Sequence, residues 1–285
     1  MARAGWAADQ RSVVERIAVS GRTVDVLVGP AGAGKTLALG GLRRAWEAEH
    51  GAGSVIGLAP SAAAADVLAS DLGIGTENTA KWAYEHDHGR WDLGAGKLVI
   101  VDEASLAGTM LLDQLTTHAA TVGRKVLLAG DPAQLAPVDA GGAFGLLVCD
   151  CNASDGDGAP ELADIRRFTH QWQKAASLRL RRGDTDVIDL YSKRGRIVGD
   201  DQDTMLDAAY RAWQTDIAAG RSSILITETS DTVTALNQRA RADRILVGQV
   251  AVEGVSLHDG TVAGAGDTIV TRNNDRRLTT GRSWA

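Results

Sequence analysis

The chain has 285 residues, 44% of them hydrophobic, and 30 Lys and Arg against 36 Asp and Glu give a net charge of −6. That length suits two domains of roughly 100–200 residues each, and the acidic balance excludes a surface coated in positive charge while leaving room for a local basic groove. The two cysteines, Cys149 and Cys151, exclude a disulfide framework and a four-cysteine zinc site; no apolar run reaches the ~18 residues of a membrane span, no charged-then-apolar leader opens the chain, and reduced cytoplasm is the expected compartment.

Residues 12–20 read as a helix with Val13, Val14, Ile17 and Ala18 on one face. A strand over Val24–Val28 runs into a glycine-rich loop, and a helix is expected from Lys35 to about Glu49. Val55–Leu58 reads as a second buried strand, and Ala62–Leu72 as a short helix stopped by Gly73. Lys97–Val101 is a strand that delivers Asp102 and Glu103, Met110–Ala120 a helix, and Lys125–Ala129 another buried strand. Strands alternating with helices imply an α/β fold whose parallel sheet is covered on both faces.

The polar, Gly-rich stretch Asp150–Pro160 reads as a linker. Beyond it come a basic helix over Trp172–Arg182, an amphipathic helix over Asp203–Ala218, a strand over Ser222–Thr227 and a helix over Asp231–Ile245. A second α/β unit is thus expected from near residue 185. After Gly248 the pattern turns to short strands at Val255–Leu257, Gly260–Val262 and Asp267–Thr271.

The segment Gly29–Thr36 (GPAGAGKT) has the form G-x-x-x-x-G-K-[ST], and that spacing has a mechanism. Glycines let backbone N–H groups curl around phosphate oxygens, and the helix that follows turns its positive end to the same anion. The expected nucleotide-binding residues are Gly29, Pro30, Ala31, Gly32, Ala33, Gly34, Lys35, Thr36 and Leu37. Lys35 would contact the β- and γ-phosphates of ATP, and Thr36 with Asp102 would hold Mg²⁺. Glu103 would accept the proton of the attacking water. The Gln10 side chain both donates and accepts, which suits an adenine edge, but on spacing alone a surface glutamine is the better reading.

Taken in order, these residues resemble superfamily-one DNA helicases of the RecD type, and above all the helicase portion of conjugative relaxases of the TraI and TrwC kind. The likeness rests on Gln10, GPAGAGKT, Leu58–Asp66 (LAPSAAAAD), Thr76–Lys81 (TENTAK), Val101–Ser105 (VDEAS) and the GDPAQLAPV segment that begins at Gly130. It continues through Arg166–Phe168, Leu180–Asp184 and the segment from Gly266 to Arg277.

The resemblance implies two RecA-like domains with ATP between them, driving translocation on single-stranded DNA, 5′ to 3′ by analogy. It implies that Gln10 recognises adenine and that Gln134 senses the γ-phosphate. It also implies that Arg167, with Arg166 as its rival, reaches the phosphates from the second domain. Pro60, Ser61, Thr79 and Lys81 match DNA-contacting segments; Trp82 and Tyr84 are candidates for base stacking or for the core.

The implied organisation is a first RecA-like domain over 1–149, a linker over 150–160, a partial second domain over 161–250 and the start of a β insertion over 251–285. No segment resembles the family's T-x-H-K-x-Q-G stretch, and no relaxase-type His and Tyr cluster is present. The expectation is a monomeric piece of a longer conjugative protein, slow in hydrolysis and unable to unwind duplex. The six histidines, with His86 and His88 expected on a loop, suggest no metal site. Two rival readings stay open: a phosphate-loop kinase or ATPase unrelated to DNA, and a nucleotide- or DNA-binding module without turnover.

Overall fold

The structure is a computed structural model that describes residues 6–91, 96–134, 140–154 and 158–269. It divides into two compact units, Met1–Lys193 and Arg194–Ala285.

The first unit is built on a parallel sheet. Its strands are β1 (Val24–Val28), β2 (Val55–Ala59), β3 (Gly75–Asn78), β4 (Leu98–Val101) and β5 (Lys125–Gly130), in the spatial order β1-β5-β4-β2-β3. Every pairing among them is parallel. Helices α1 (Ala8–Val19), α2 (Lys35–His50), α3 (Ala62–Leu72), α4 (Thr79–Asp87), α5 (Thr109–Thr121) and α6 (Ala143–Ser154) are threaded between or beside the strands. The free edge of β1 is met by Glu161, with Val28 donating to the Pro160 carbonyl and Leu162 donating back to that of Val28.

The period of two along each strand sorts the core into two layers. Leu27, Leu98, Ile100 and Leu127 pack with Ile17, Leu39, Leu42, Leu68 and Leu72 on one face. Val26, Val28, Val99, Val101, Val126 and Leu128 pack with Trp82, Leu112, Leu115, Phe144 and Val148 on the other. Burying each such side chain contributes about 1.5–3 kcal/mol, which is what fixes the strand ends and hence the loops that leave them.

The helix signals behave as their chemistry dictates. Ser61 caps α3 by accepting from the Ala64 amide, and Gly73 ends it in the left-handed conformation. Asn78 caps α4 by accepting from the amide of Lys81. The β3–α4 segment is not legible from hydrophobic periodicity, because β3 reads Gly-Thr-Glu-Asn and is placed by its ladder with β2 and its packing on α3.

Several expectations need correction. Asp150–Pro160 is not a linker throughout: α6 runs to Ser154, because Phe144 and Val148 anchor its apolar face, and residues 155–157 lie outside the described set. Nor does the first unit end at 149. Residues 158–193, including α7 (Gln171–Arg181) and α8 (Val187–Lys193), belong to it, since the 160–162 segment hydrogen-bonds to β1. His86 lies within α4 and His88 is its C-cap, not on a loop, and the fold brings the rings of His86 and His118 to 4.2 Å.

The second unit holds α9 (Gln202–Ala218), α10 (Ser230–Leu246) and an antiparallel pair, β6 (Gly254–Ser256) and β7 (Val262–Gly264). Tyr210 is its buried anchor, donating to Asp243 at 2.7 Å beneath the guanidinium of Arg239. Ser222–Thr227 is not a strand; a strand requires a ladder partner, and no described residue pairs with this segment, leaving Ile224 and Ile226 exposed. Of the expected strand Asp267–Thr271, residues 267–269 are irregular, and residues 270 and 271 lie outside the described set, as does most of the Gly266–Arg277 segment. No described helix is long and apolar enough to cross a membrane.

Candidate nucleotide site

Five of the segments singled out in the first unit leave the same edge of the sheet. The glycine-rich loop follows β1, Pro60 and Ser61 follow β2, Thr79 follows β3, Asp102 follows β4 and Asp131 follows β5. In an open parallel sheet the carboxyl edge is where ligands bind, because loops there diverge and helix N-termini point inward.

The loop itself is shaped by glycine. Gly32 and Gly34 sit at φ +82° and +87°, and Gly34 is the N-cap of α2. A Cβ on Gly32 would come within 2.5 Å of the Arg167 Cβ, and one on Gly34 within 2.6 Å of the Gln10 amide nitrogen. Gly29 is tied to the end of β5, its amide donating to the carbonyl of Gly130 at 2.9 Å. Pro30 is buried and Ala33 fully so, while Ala31, Thr36 and Leu37 are exposed at the mouth.

Lys35 Nζ donates to the Gly29 carbonyl at 2.9 Å and lies 3.6 Å from Oε1 of Glu103. Glu103 has φ +51°, the sole non-glycine residue at positive φ among the described residues. For a residue with a Cβ that conformation costs about 1–3 kcal/mol, and such strain concentrates at functional positions. Asp102 accepts from the Glu103 amide at 2.9 Å. Burial pushes the Asp102 carboxyl above the ordinary carboxylate value; the Glu103 amide pulls it back, and the Glu103 charge raises it further.

Oε2 of Glu103 and Oγ of Ser105 are buried without a hydrogen-bond partner. Buried polar oxygens are ordinarily satisfied, so these two orphaned oxygens mark the loop after β4, which also carries the Asp102 carboxylate, as a place where hard oxygen donors await a partner. That chemistry suits Mg²⁺ with retained water. Among the described residues there is no cluster of three or more His, Cys, Asp or Glu that would hold a metal unaided.

Gln10 is fully buried, which settles its sequence ambiguity against a surface position. Its Nε2 donates to the Gly34 carbonyl at 3.4 Å, and its Oε1 accepts from the Ala7 amide. The neighbouring Asp9 binds Nη2 of Arg166 at 3.1 Å, and Asp164 binds the Nε of the same guanidinium. The backbone amide of Arg166 donates to Gly32 at 2.8 Å. Arg166 is thus held by two carboxylates, whereas no described carboxylate pairs with Arg167, which is exposed against Gly32. The pair reaches the loop from within the first unit, not from a second domain.

Gln134 lies in a turn, its amide donating to the Asp131 carbonyl at 3.1 Å; residues 135–139 of the GDPAQLAPV segment lie outside the described set. Asp131 and Arg181 lie in segments that carry the resemblance but have no role in the sequence reading; in the fold, Nε and Nη2 of Arg181 hold the Asp131 carboxylate at 2.7–3.1 Å. Asp9 has no such role either. Its only signal is its place beside Gln10.

Of the DNA candidates, Ser61 is exposed, Pro60 half-buried, Thr79 buried, and Lys81, in the first turn of α4, is paired with Glu77 of the preceding strand β3. The register Ala59↔Asn78 puts the ends of β2 and β3 side by side, so the two segments are neighbours. Trp82 is fully buried in the core, which removes it as a stacking platform; Tyr84 is exposed.

A family model described as AAA domain matches residues 5–202. The chain is 32% identical over 275 residues to a probable conjugal transfer protein TraA of Sinorhizobium fredii, covering 95% of this chain and 24% of that protein. It is 31% identical over 277 residues to a conjugal transfer protein TraA of Agrobacterium fabrum, with the same shares. The chain therefore spans about a quarter of the length of the curated relatives it matches. A crystal structure of the Pif1 helicase from Bacteroides is similar at 19% identity and a TM-score of 0.49, over 89% of this chain and 58% of that one. With its glycine-rich loop at the head of a parallel sheet, the chain belongs to the AAA domain family and is similar in sequence to conjugal transfer proteins.

Proposed function

We propose that this chain is the nucleotide-driven part of a motor on single-stranded DNA, working within a longer conjugal transfer protein. The observation that carries the reading is the convergence of Gln10, Lys35, Glu103 and Arg167 on one glycine-shaped loop.

In this reading the amides of residues 29–37 and the Lys35 ammonium bind the phosphates of ATP. Gln10 contacts the adenine edge, and Arg167, free of carboxylate partners among the described residues, is the arginine directed at the phosphates. Thr36 and Asp102 hold Mg²⁺, which when bound offsets the charge that builds on the phosphate oxygens. Glu103, held by Lys35 in the ground state, takes the proton of the attacking water once Lys35 turns to phosphate. Gln134 responds to the γ-phosphate, and the adjacent ends of β2 and β3, with Pro60, Ser61, Thr79 and Lys81, contact the strand. DNA is moved only if these contacts differ in strength between nucleotide states.

Polarity is assigned 5′ to 3′ by analogy with the RecD type. For the 285-residue chain by itself, the reading is binding of ATP–Mg²⁺ with slow turnover and no unwinding.

The test is ATP hydrolysis with and without single-stranded DNA, alongside Lys35→Ala, with labelled DNA titrated into the same samples. DNA-stimulated turnover that vanishes in the variant supports the motor. Nucleotide binding with neither stimulation nor DNA affinity overturns it. Transfer of phosphate to an added acceptor would move the protein to the kinases.

A further inference from the structure

Arg181 is the last residue of α7, and none of the proposed chemistry uses it. Its guanidinium nevertheless grips Asp131, which is 2% exposed, through two nitrogens, with Nε to both carboxylate oxygens at 3.0 and 3.1 Å and Nη2 to Oδ1 at 2.7 Å. The remaining nitrogen, Nη1, lies 3.5 Å from Glu161. A forked contact of this kind fixes direction as well as distance, because the planar guanidinium matches the carboxylate in one orientation.

Each group that Arg181 holds is one step from the nucleotide site. Asp131 builds the turn that carries Gln134: its Oδ1 accepts from the Ala133 amide at 3.0 Å and its carbonyl from the Gln134 amide at 3.1 Å. The residue before it, Gly130, accepts from Gly29 and packs so closely on the Asp102–Glu103 loop that a Cβ would lie 2.9 Å from the Ser105 amide. Glu161 sits in the segment paired with the edge of β1, which leads to Arg166 and Arg167. A displacement of the Gln134 turn therefore cannot leave α7 unmoved while the fork is intact.

We propose that Arg181 is a positioning residue that couples the Asp131–Gln134 turn to α7, so that the γ-phosphate state of the site is transmitted to that helix. The inference rests on the nucleotide reading above and adds a route to it. Arg179, on the same helix, serves as the internal comparison: its partner is Asp184 at 2.7 Å, in the turn after α7, and not the sensor turn.

The test is hydrogen–deuterium exchange of the whole 285-residue chain with Mg·ADP and with the non-hydrolysable Mg·AMP-PNP, in the wild type, Arg181→Lys and Arg179→Ala. The triphosphate analogue should slow exchange in 171–181 by roughly tenfold relative to ADP, within the usual range of coupling between sites. Arg181→Lys keeps the charge but not the fork, and should lose that difference while the phosphate-loop peptides still respond to either nucleotide. Arg179→Ala should retain it.

Equal exchange of 171–181 under the two nucleotides in the wild type overturns the proposal, whatever the variants do. A difference that survives Arg181→Lys, or that Arg179→Ala abolishes as well, overturns it too, since the fork would not be its carrier. Failure of either nucleotide to protect the phosphate loop would instead sink the nucleotide reading itself, and the coupling with it.

Discussion

Lys35 and Glu103 form an ion pair at 3.6 Å across the mouth of the phosphate loop, with the ammonium also donating to the Gly29 carbonyl. Lysine and carboxylate thus satisfy each other, and phosphate oxygens would compete directly for the same ammonium. Glu103 makes this pair from a left-handed backbone, at φ +51°.

Two substitutions separate the two partners. Lys35→Ala should lower ATP turnover by about 10²–10³, the usual cost of one preorganised donor, and should weaken nucleotide binding as well. Glu103→Gln should lower turnover by about 10²–10⁴ while leaving the affinity for nucleotide near that of the parent. Steady-state hydrolysis read beside fluorescent-nucleotide titration checks both. Equal loss of binding in the two variants would contradict the division of roles.

The buried Asp102 gives a pH signature. Its raised carboxyl means that the folded chain holds this proton more tightly than the unfolded one. Charged Asp102 therefore destabilises the fold, a cost absent below the ordinary carboxylate range, growing as pH rises through the window up to the raised value and constant above it. Asp102→Asn should raise the metal-free melting temperature at pH 7. The gain should vanish in acid, and added Mg²⁺ with nucleotide should no longer stabilise the variant. Thermal melts across pH with and without Mg·ADP are the measurement.

Gly32→Ala is expected to fail for two reasons at once. A left-handed φ costs an alanine about 1–2 kcal/mol, and the new methyl would meet the Arg167 Cβ at 2.5 Å. Urea unfolding should show a loss of at least that strain, and nucleotide affinity should fall with it. Gly21→Ala, where nothing lies within 4 Å, is the control and should leave affinity unchanged.

Lys81→Ala tests the DNA face. If this ammonium leaves Glu77 for a DNA phosphate, its loss should weaken single-strand binding about equally for all sequences and reduce the salt slope by about one. Binding measured over a range of salt concentrations checks this. A slope unchanged by the substitution would place the strand elsewhere.

The sequence alone determined the phosphate loop, the strand ending in Asp102 and Glu103, and the parallel α/β pattern of the first unit. Local rules suffice for these: an apolar run of strand length, glycines where the backbone must turn tightly, and a helix with its stop residue. Val24–Val28 and Ala62–Leu72 fall where those rules put them.

Tertiary structure decided what depends on partners distant in sequence. Gln10 reads as a surface residue until α1 packs over Gly34, 24 residues on. Arg166 and Arg167 are equivalent as letters; Asp9, more than 150 residues away, binds one of them and leaves the other against Gly32. The helix α6 persists into a polar stretch because its apolar face is buried, whereas Ser222–Thr227, with good strand residues, has no described neighbour to pair with. The Arg181–Asp131 fork spans 50 residues and has no periodic signature. Propensity acts between neighbours along the chain, but ion pairs, edge pairing and burial are fixed only once the sheet has brought its loops to one edge.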